Sequence, residues 1–238
     1  MKIGIFTDCH YCYADRLGPF RRPRLSIGKI KKAMESFKKQ NVDMVFCLGD
    51  MTDHDEGSTK EQIIACFKEA MSLISSYSIP FYLIPGNHDY LVMSAGDMER
   101  EAGFKIPPYV INTSTHNFIA LDANYRSQME RFDTAGVEWT DSNLPPKQME
   151  FLKNELTKST KPCIVLVHEN LDPSVDKMHI IKNADQIRQI IRESKKVQMV
   201  LQGHYHLGKE SIVDNIPYIT LPAMCEKEDN YTKIIELK

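Results

Sequence analysis

Five short apolar runs, at residues 3–7, 44–48, 81–84, 163–167 and 197–201, each give way abruptly to polar residues of one chemical kind. Runs of this length read as buried strands. At their ends stand Asp8 and His10; Gly49, Asp50 and Asp53; Gly86, Asn87, His88 and Asp89; His168; and Gly203, His204 and His206. In open α/β sheets the loops beyond the carboxyl ends of the strands converge on one edge, so residues distant in sequence are expected to meet there.

Segments of helical period separate the runs. Ile27, Ile30, Met34 and Phe37 share one face; Ile63, Ile64, Phe67, Met71 and Ile74 share another; Ala184, Ile187, Ile190 and Ile191 form a third. A further helix is predicted from Pro146, with Met149, Leu152 and Leu156 turned inward. The alternation predicts an α/β fold with helices outside a buried sheet. Residues 109–112 and 118–122, and then 208–213, 218–221 and 232–237, read as strands without intervening helices, and antiparallel pairing is expected of them. Residues 123–145 are too irregular for an element and are expected to form a surface loop near the site. With 238 residues and no linker or repeat, one domain over 1–238 is the expectation, large enough to hold a core without a structural metal. Any bound metal would then serve chemistry.

The polar set is rich in metal-binding groups, holding five of the eight histidines. Asp8 and His10 stand two apart, as do His204 and His206, and in extended chain alternate side chains point the same way. Gly49, Gly86 and Gly203 are expected where the chain turns off a strand. Carboxylate, carboxamide and imidazole together suit Mn, Fe, Co or Zn better than Ca or Mg.

These blocks, Asp-x-His, Gly-Asp-x-x-Asp, Gly-Asn-His-Asp, a lone His and Gly-His-x-His, resemble in order those of the calcineurin-like metallophosphoesterases, from Asp8 to His206. The resemblance implies a four-layer αββα sandwich of two mixed sheets flanked by helices. It also implies two metal ions, one on Asp8, His10, Asp50 and His206 and the other on Asp50, Asn87, His168 and His204, with Asp50 as the bridge. Hydrolysis of a phosphate ester, diester or anhydride by a hydroxide shared between the ions would result. His88 would contact the phosphate and protonate the leaving oxygen, and Asp53 would orient His88. Within the family, the long loop after His10 looks most like the branch that cleaves ADP-ribose and CDP-alcohols, so a small, nucleotide-like phosphorylated substrate is expected.

Arg21, Arg22 and Arg24 are candidates to grip a substrate phosphate, and Tyr11, Tyr13, Tyr125 and Arg126 to border a substrate ring, although each could equally be a solvated loop residue. His54, His116 and His179 have no supporting pattern and read as structural or surface residues. Cys9 and Cys12 form a C-x-x-C, but no second pair completes a structural zinc site. The scattered cysteines predict a reduced, cytoplasmic protein. A formal net charge of -2 argues against nucleic acid or an acidic membrane as partner, and no apolar run approaches a membrane span. The oligomeric state is not encoded in any pattern here. The rival readings are a metal-dependent nuclease and a catalytically idle binding module on the same fold, for which lost ligand positions would be the mark.

Overall fold

Alternation along the strands explains the layering in a computed structural model of the protein, which describes residues 1–103, 105–132, 138–226 and 230–238. In strand β1 (Lys2–Phe6), Ile3 and Ile5 point one way and Phe6 the other. The same happens in β2 (Met44–Cys47), where Met44 and Phe46 oppose Val45 and Cys47. One set joins Phe118, Ile164, Leu166 and Leu201 in an apolar layer between two sheets. The other set packs under α1 (Ser26–Lys39) and α2 (Lys60–Ser75), against Ile30, Met34, Phe37, Phe67 and Ile74. Both faces of each strand are therefore buried, which is why the runs are continuously apolar.

The first sheet has four strands in the order β10 (Lys233–Glu236), β1, β2, β3 (Phe81–Leu83). The second has six, β4 (Tyr109–Asn112), β5 (Asn117–Ala120), β6 (Cys163–Leu166), β7 (Val197–Gln202), β9 (Ile216–Thr220) and β8 (Lys209–Val213) in spatial order. Beyond it, α5 (Pro146–Lys158) and α6 (Ala184–Ser194) cover the outer face with Leu152, Leu156, Ile187 and Ile191. The result is the expected αββα sandwich of two mixed sheets. Short helices α3 (Asn87–Tyr90) and α4 (Ala95–Ala102) lie between β3 and β4, and neither is among the helices expected from the sequence.

Pairing departs from expectation in two places. The strand pairs β4–β5 and β8–β9 are antiparallel as expected, but β9 also runs parallel to β7, with Val200 opposite Tyr218 and Gln202 opposite Thr220, and β10, grouped in the sequence with β8 and β9, instead joins the other sheet antiparallel to β1. A hairpin fixes the direction of its own two strands and leaves open which neighbour they join. The parallel strands β1, β2, β6 and β7 end on one edge, where the polar blocks gather. The 123–132 and 138–145 stretches are less superficial than expected, since Ala123, Asn124, Phe132, Ser142, Asn143 and Leu144 are buried; 133–137 lie outside the described residues.

Candidate metal centre

Past the end of β1 the chain does not stay extended. Asp8, His10, Asp50 and His204 all adopt left-handed backbone conformations, with φ of 51°, 47°, 51° and 66°. Such conformations are costly for residues with a Cβ and persist where the surroundings impose them. Here main-chain bonds do so: Asp8 N donates to Gly49 O at 2.9 Å, His10 N to Asp50 O at 2.8 Å and Cys225 N to Asp8 O at 2.9 Å. The two-residue spacing therefore brings Asp8 and His10 together through local left-handed turns rather than by strand alternation. The glycines also differ from expectation. Gly49 does turn at positive φ, whereas Gly86 and Gly203 serve close approach: a Cβ on Gly86 would lie 2.2 Å from Asp50 Oδ1, and one on Gly203 2.1 Å from Thr7 Oγ1.

Two clusters result. In the first, His10 Nε2 lies 3.1 Å from His206 Nε2, 3.4 Å from Asp50 Oδ2 and 3.8 Å from Asp8 Oδ1, while His206 Nε2 lies 3.4 Å from Asp8 Oδ1. A tetrahedral ion with ligand bonds of about 2.1 Å has ligand-to-ligand edges of about 3.4 Å, so these separations fit four atoms around one cation. In the second, His168 Nε2 lies 3.4 Å from the same Asp50 Oδ2, and ligand atoms of Asp50, His168 and His204 all fall within 4.8 Å of one another. One carboxylate oxygen thus faces both clusters. Asp50 Oδ1 is meanwhile fixed by the His88 main-chain N–H at 2.8 Å.

Satisfaction of buried polar atoms tests the fit. Asp8 Oδ1, Asn87 Oδ1, His168 Nε2 and His204 Nε2 are buried without a hydrogen-bond partner. Stranding even one such atom is unfavourable; four of them around two clusters fit a pair of cations. Meanwhile the opposite imidazole nitrogens are tied down: His10 Nδ1 to Asp53 Oδ2 at 3.0 Å, His206 Nδ1 to Glu226 Oε1 at 2.7 Å and His168 Nδ1 to the Leu48 carbonyl at 2.7 Å. Such bonds orient the ring and present Nε2 to an ion. Burial and the charge of His168 push His204 well below the ordinary imidazole range, leaving its lone pair free. Burial opposes charge on His10, yet Asp50 and Asp53 hold it up at about 10, a measure of how strongly the pocket attracts a cation. A divalent ion would compete with that proton.

Asp53 does more than expected. Burial by itself would raise its carboxyl, but hydrogen bonds from His10 and His88 hold it well below the usual carboxylate range. It binds His88 Nδ1 at 2.9 Å, His10 at 3.0 Å and the Arg21 guanidinium. Asp89, the last residue of its block, turns away: its oxygens accept from Thr52 N and Gly86 N, both at 3.0 Å.

Above the clusters lies a cavity of about 400 Å³, lined by Asp50, Asn87, His88, His204 and His206, by the 17–21 loop including Arg21, and by Trp139, His179 and Glu226. Six expected substrate contacts do not line it, among them Arg24, which donates to the Tyr13 carbonyl and pairs with Asp15. Arg22 turns back to the carbonyls of Pro19 and Arg21. Tyr125 and Arg126 sit in a turn closed on Arg131, whose guanidinium stacks 5.1 Å from the Tyr125 ring. Tyr11 and Tyr13 direct their hydroxyls to Glu69 on α2. His116, bonded to Gln198, is structural, and His54 is half-exposed beside Asp53. His179, however, is on the cavity wall, 5.2 Å from the His204 ring, a position that no pattern in the sequence indicates. Trp139 and Glu226 were also missed. Neither has a motif, though a sole tryptophan in an irregular stretch was a signal available in the sequence.

Residues 1–208 match the model of the family described as calcineurin-like phosphoesterase. The chain therefore belongs to that family, a class of metal-dependent phosphoester hydrolases. Among its relatives, a probable cyclic nucleotide phosphodiesterase of Psychrobacter arcticus is 23% identical over 85% of this chain and 71% of its own length. A second, from Fibrobacter succinogenes, is 21% identical over 98% of this chain and 83% of its own. The crystal structure of a dimetal phosphatase from Danio rerio superimposes with a TM-score of 0.83 at 16% identity, covering 98% of this chain and 91% of that one, and so shares the fold. Among the described residues, no helix is long and apolar enough to cross a membrane.

Proposed function

We propose that the protein hydrolyses a phosphodiester or diphosphate bond of a small, nucleotide-like substrate at a two-metal centre. Asp8, His10, Asp50 and His206 would hold one ion, and Asp50, Asn87, His168 and His204 the other. The observation that carries this reading is the set of four stranded ligand atoms beneath an open cavity. When bound, the ions supply Lewis acidity toward phosphoryl oxygens and lower the pKa of a shared water; Mn, Fe, Zn and Co all suit the donor set. The protein supplies the rest. His88, held through Nδ1 by Asp53, has its other nitrogen available to give a proton to the leaving oxygen. Arg21, anchored on the same carboxylate and facing the cavity, can pair with a phosphate oxygen. Two relatives named as probable cyclic nucleotide phosphodiesterases support a nucleotide-like diester over a simple monoester.

The test is turnover of bis-p-nitrophenyl phosphate against p-nitrophenyl phosphate with Mn, before and after a chelator. Faster hydrolysis of the diester, abolished by chelation, is expected. Retained metal with no turnover of either compound or of a panel of nucleoside diphosphate esters would favour an idle binding module instead.

A further inference from the structure

The side of the cavity next to His204 is built from rings. Trp139 lies 5.2 Å from His179 and 5.7 Å from His204, centroid to centroid. His179 is also 5.2 Å from His204 and 5.1 Å from Tyr205, in edge-on contacts. The wall is held in place before any ligand arrives. His179 ends a 3-10 turn (Lys177–His179) capped by the Asp176 side chain on Met178 N at 3.0 Å, and its carbonyl accepts from Asn170 N at 3.1 Å. The stretch of chain leaving Trp139 is pinned by reciprocal bonds between Leu144 and the Asn183 side chain, at 3.0 and 2.8 Å.

From this arrangement we propose that Trp139 and His179 form a stacking subsite for a planar nitrogen heterocycle, the base of the substrate whose phosphate lies on the metal centre. The inference rests on the hydrolase reading above. An indole that served packing alone would be covered, whereas Trp139 and His179 are both partly exposed and both line the cavity. Every nucleobase offers a π-face to such a wall. His179 adds a second ring to the wall, itself held edge-on by His204 and Tyr205. The closeness of the wall to His204 sets the reach: a ring on Trp139 is adjacent to the second ligand cluster, as a base is to its own phosphate across a sugar.

Trp139 is the sole tryptophan of the chain, so its emission reports on this wall alone. Titration of the metal-loaded protein with adenosine 5′-monophosphate should quench that emission saturably, and ribose 5-phosphate at equal concentration should not. Kinetics provide the second arm, with thymidine 5′-p-nitrophenyl phosphate compared against methyl p-nitrophenyl phosphate, which share a leaving group and differ by the nucleoside. Trp139→Ala should lower kcat/KM on the thymidine ester about 5- to 150-fold more than on the methyl ester, with Trp139→Phe retaining most of the thymidine activity. Equal quenching by both phosphates, or an equal change on both esters, would overturn the subsite. Failure of the wild type to cleave either ester would instead remove the hydrolase reading, and the quenching arm would still decide whether a base binds at Trp139.

Discussion

Glu226 lies beyond the last motif and outside the matched residues 1–208, yet it fixes a residue expected to bind metal, so its replacement tests whether the first cluster holds an ion through His206. Its Oε1 is 2.7 Å from His206 Nδ1, and its side chain is 17% exposed, so the interaction is only partly screened by water. A charge-assisted bond of this length orients the ring and makes Nε2 a better donor to an ion. Glu226→Gln keeps an acceptor but loses the charge; Glu226→Ala loses both. Removing such a partner weakens metal affinity about 10- to 100-fold, or about 1.4 to 2.7 kcal/mol at 1.36 kcal/mol per decade. Glutamine should fall at the lower end and alanine at the upper.

The assay is a Mn²⁺ titration in which electron paramagnetic resonance counts the free ion. Because Glu226 touches only the cluster of His206, one of two binding phases should weaken while the other holds. Circular dichroism of the metal-free variants should match wild type, showing that the fold is kept. Unchanged affinity in both phases, or equal weakening of both, would refute the assignment of Glu226 and His206 to one ion.

Asp50→Asn should reduce occupancy of both ions by elemental analysis, since one carboxylate oxygen faces both clusters; His88→Ala should keep its metal and lose turnover, most with poor leaving groups. Gly86→Ala would put a Cβ 2.2 Å from Asp50 Oδ1 and 2.7 Å from His168 Nε2 and should abolish metal binding. By contrast Gly28→Ala, exposed within α1 with nothing within 4 Å, should raise unfolding free energy by about 0.5–1 kcal/mol in a denaturant titration. All six cysteines are buried and free, and burial pushes the Cys12 and Cys66 thiols up to about 11, so at pH 8 only about one in a thousand of either is thiolate. Ellman's reagent should react slowly with the native protein and fully, at six thiols per chain, in denaturant.

The strands and their polar boundaries were legible because burial on both faces demands continuous apolar sequence, and nothing else in a chain this size does so five times. The expected ligands could be read because each lies next to such a strand. Backbone shape was not legible. That Asp8, His10, Asp50 and His204 sit at positive φ is imposed by bonds such as His10 N to Asp50 O, made between segments about forty residues apart. The direction of β9 against β7 was hidden for a related reason, as local sequence specifies a strand and its hairpin but not the second neighbour.

The residues without a motif differ from the ligands in their task. Groups that must meet a cation within a few tenths of an ångström are carried by the ends of strands clamped between two layers, where position is rigid. Groups that line the open cavity, Trp139, His179 and Arg21 among them, stand in segments without period, where a change of residue need not disturb the sandwich. The first kind leaves a pattern at fixed spacing; the second leaves none. A chain of this family can therefore announce its chemistry in its sequence while keeping its choice of substrate in the loops, and for this protein the wall beside His204 is where that choice is open to experiment.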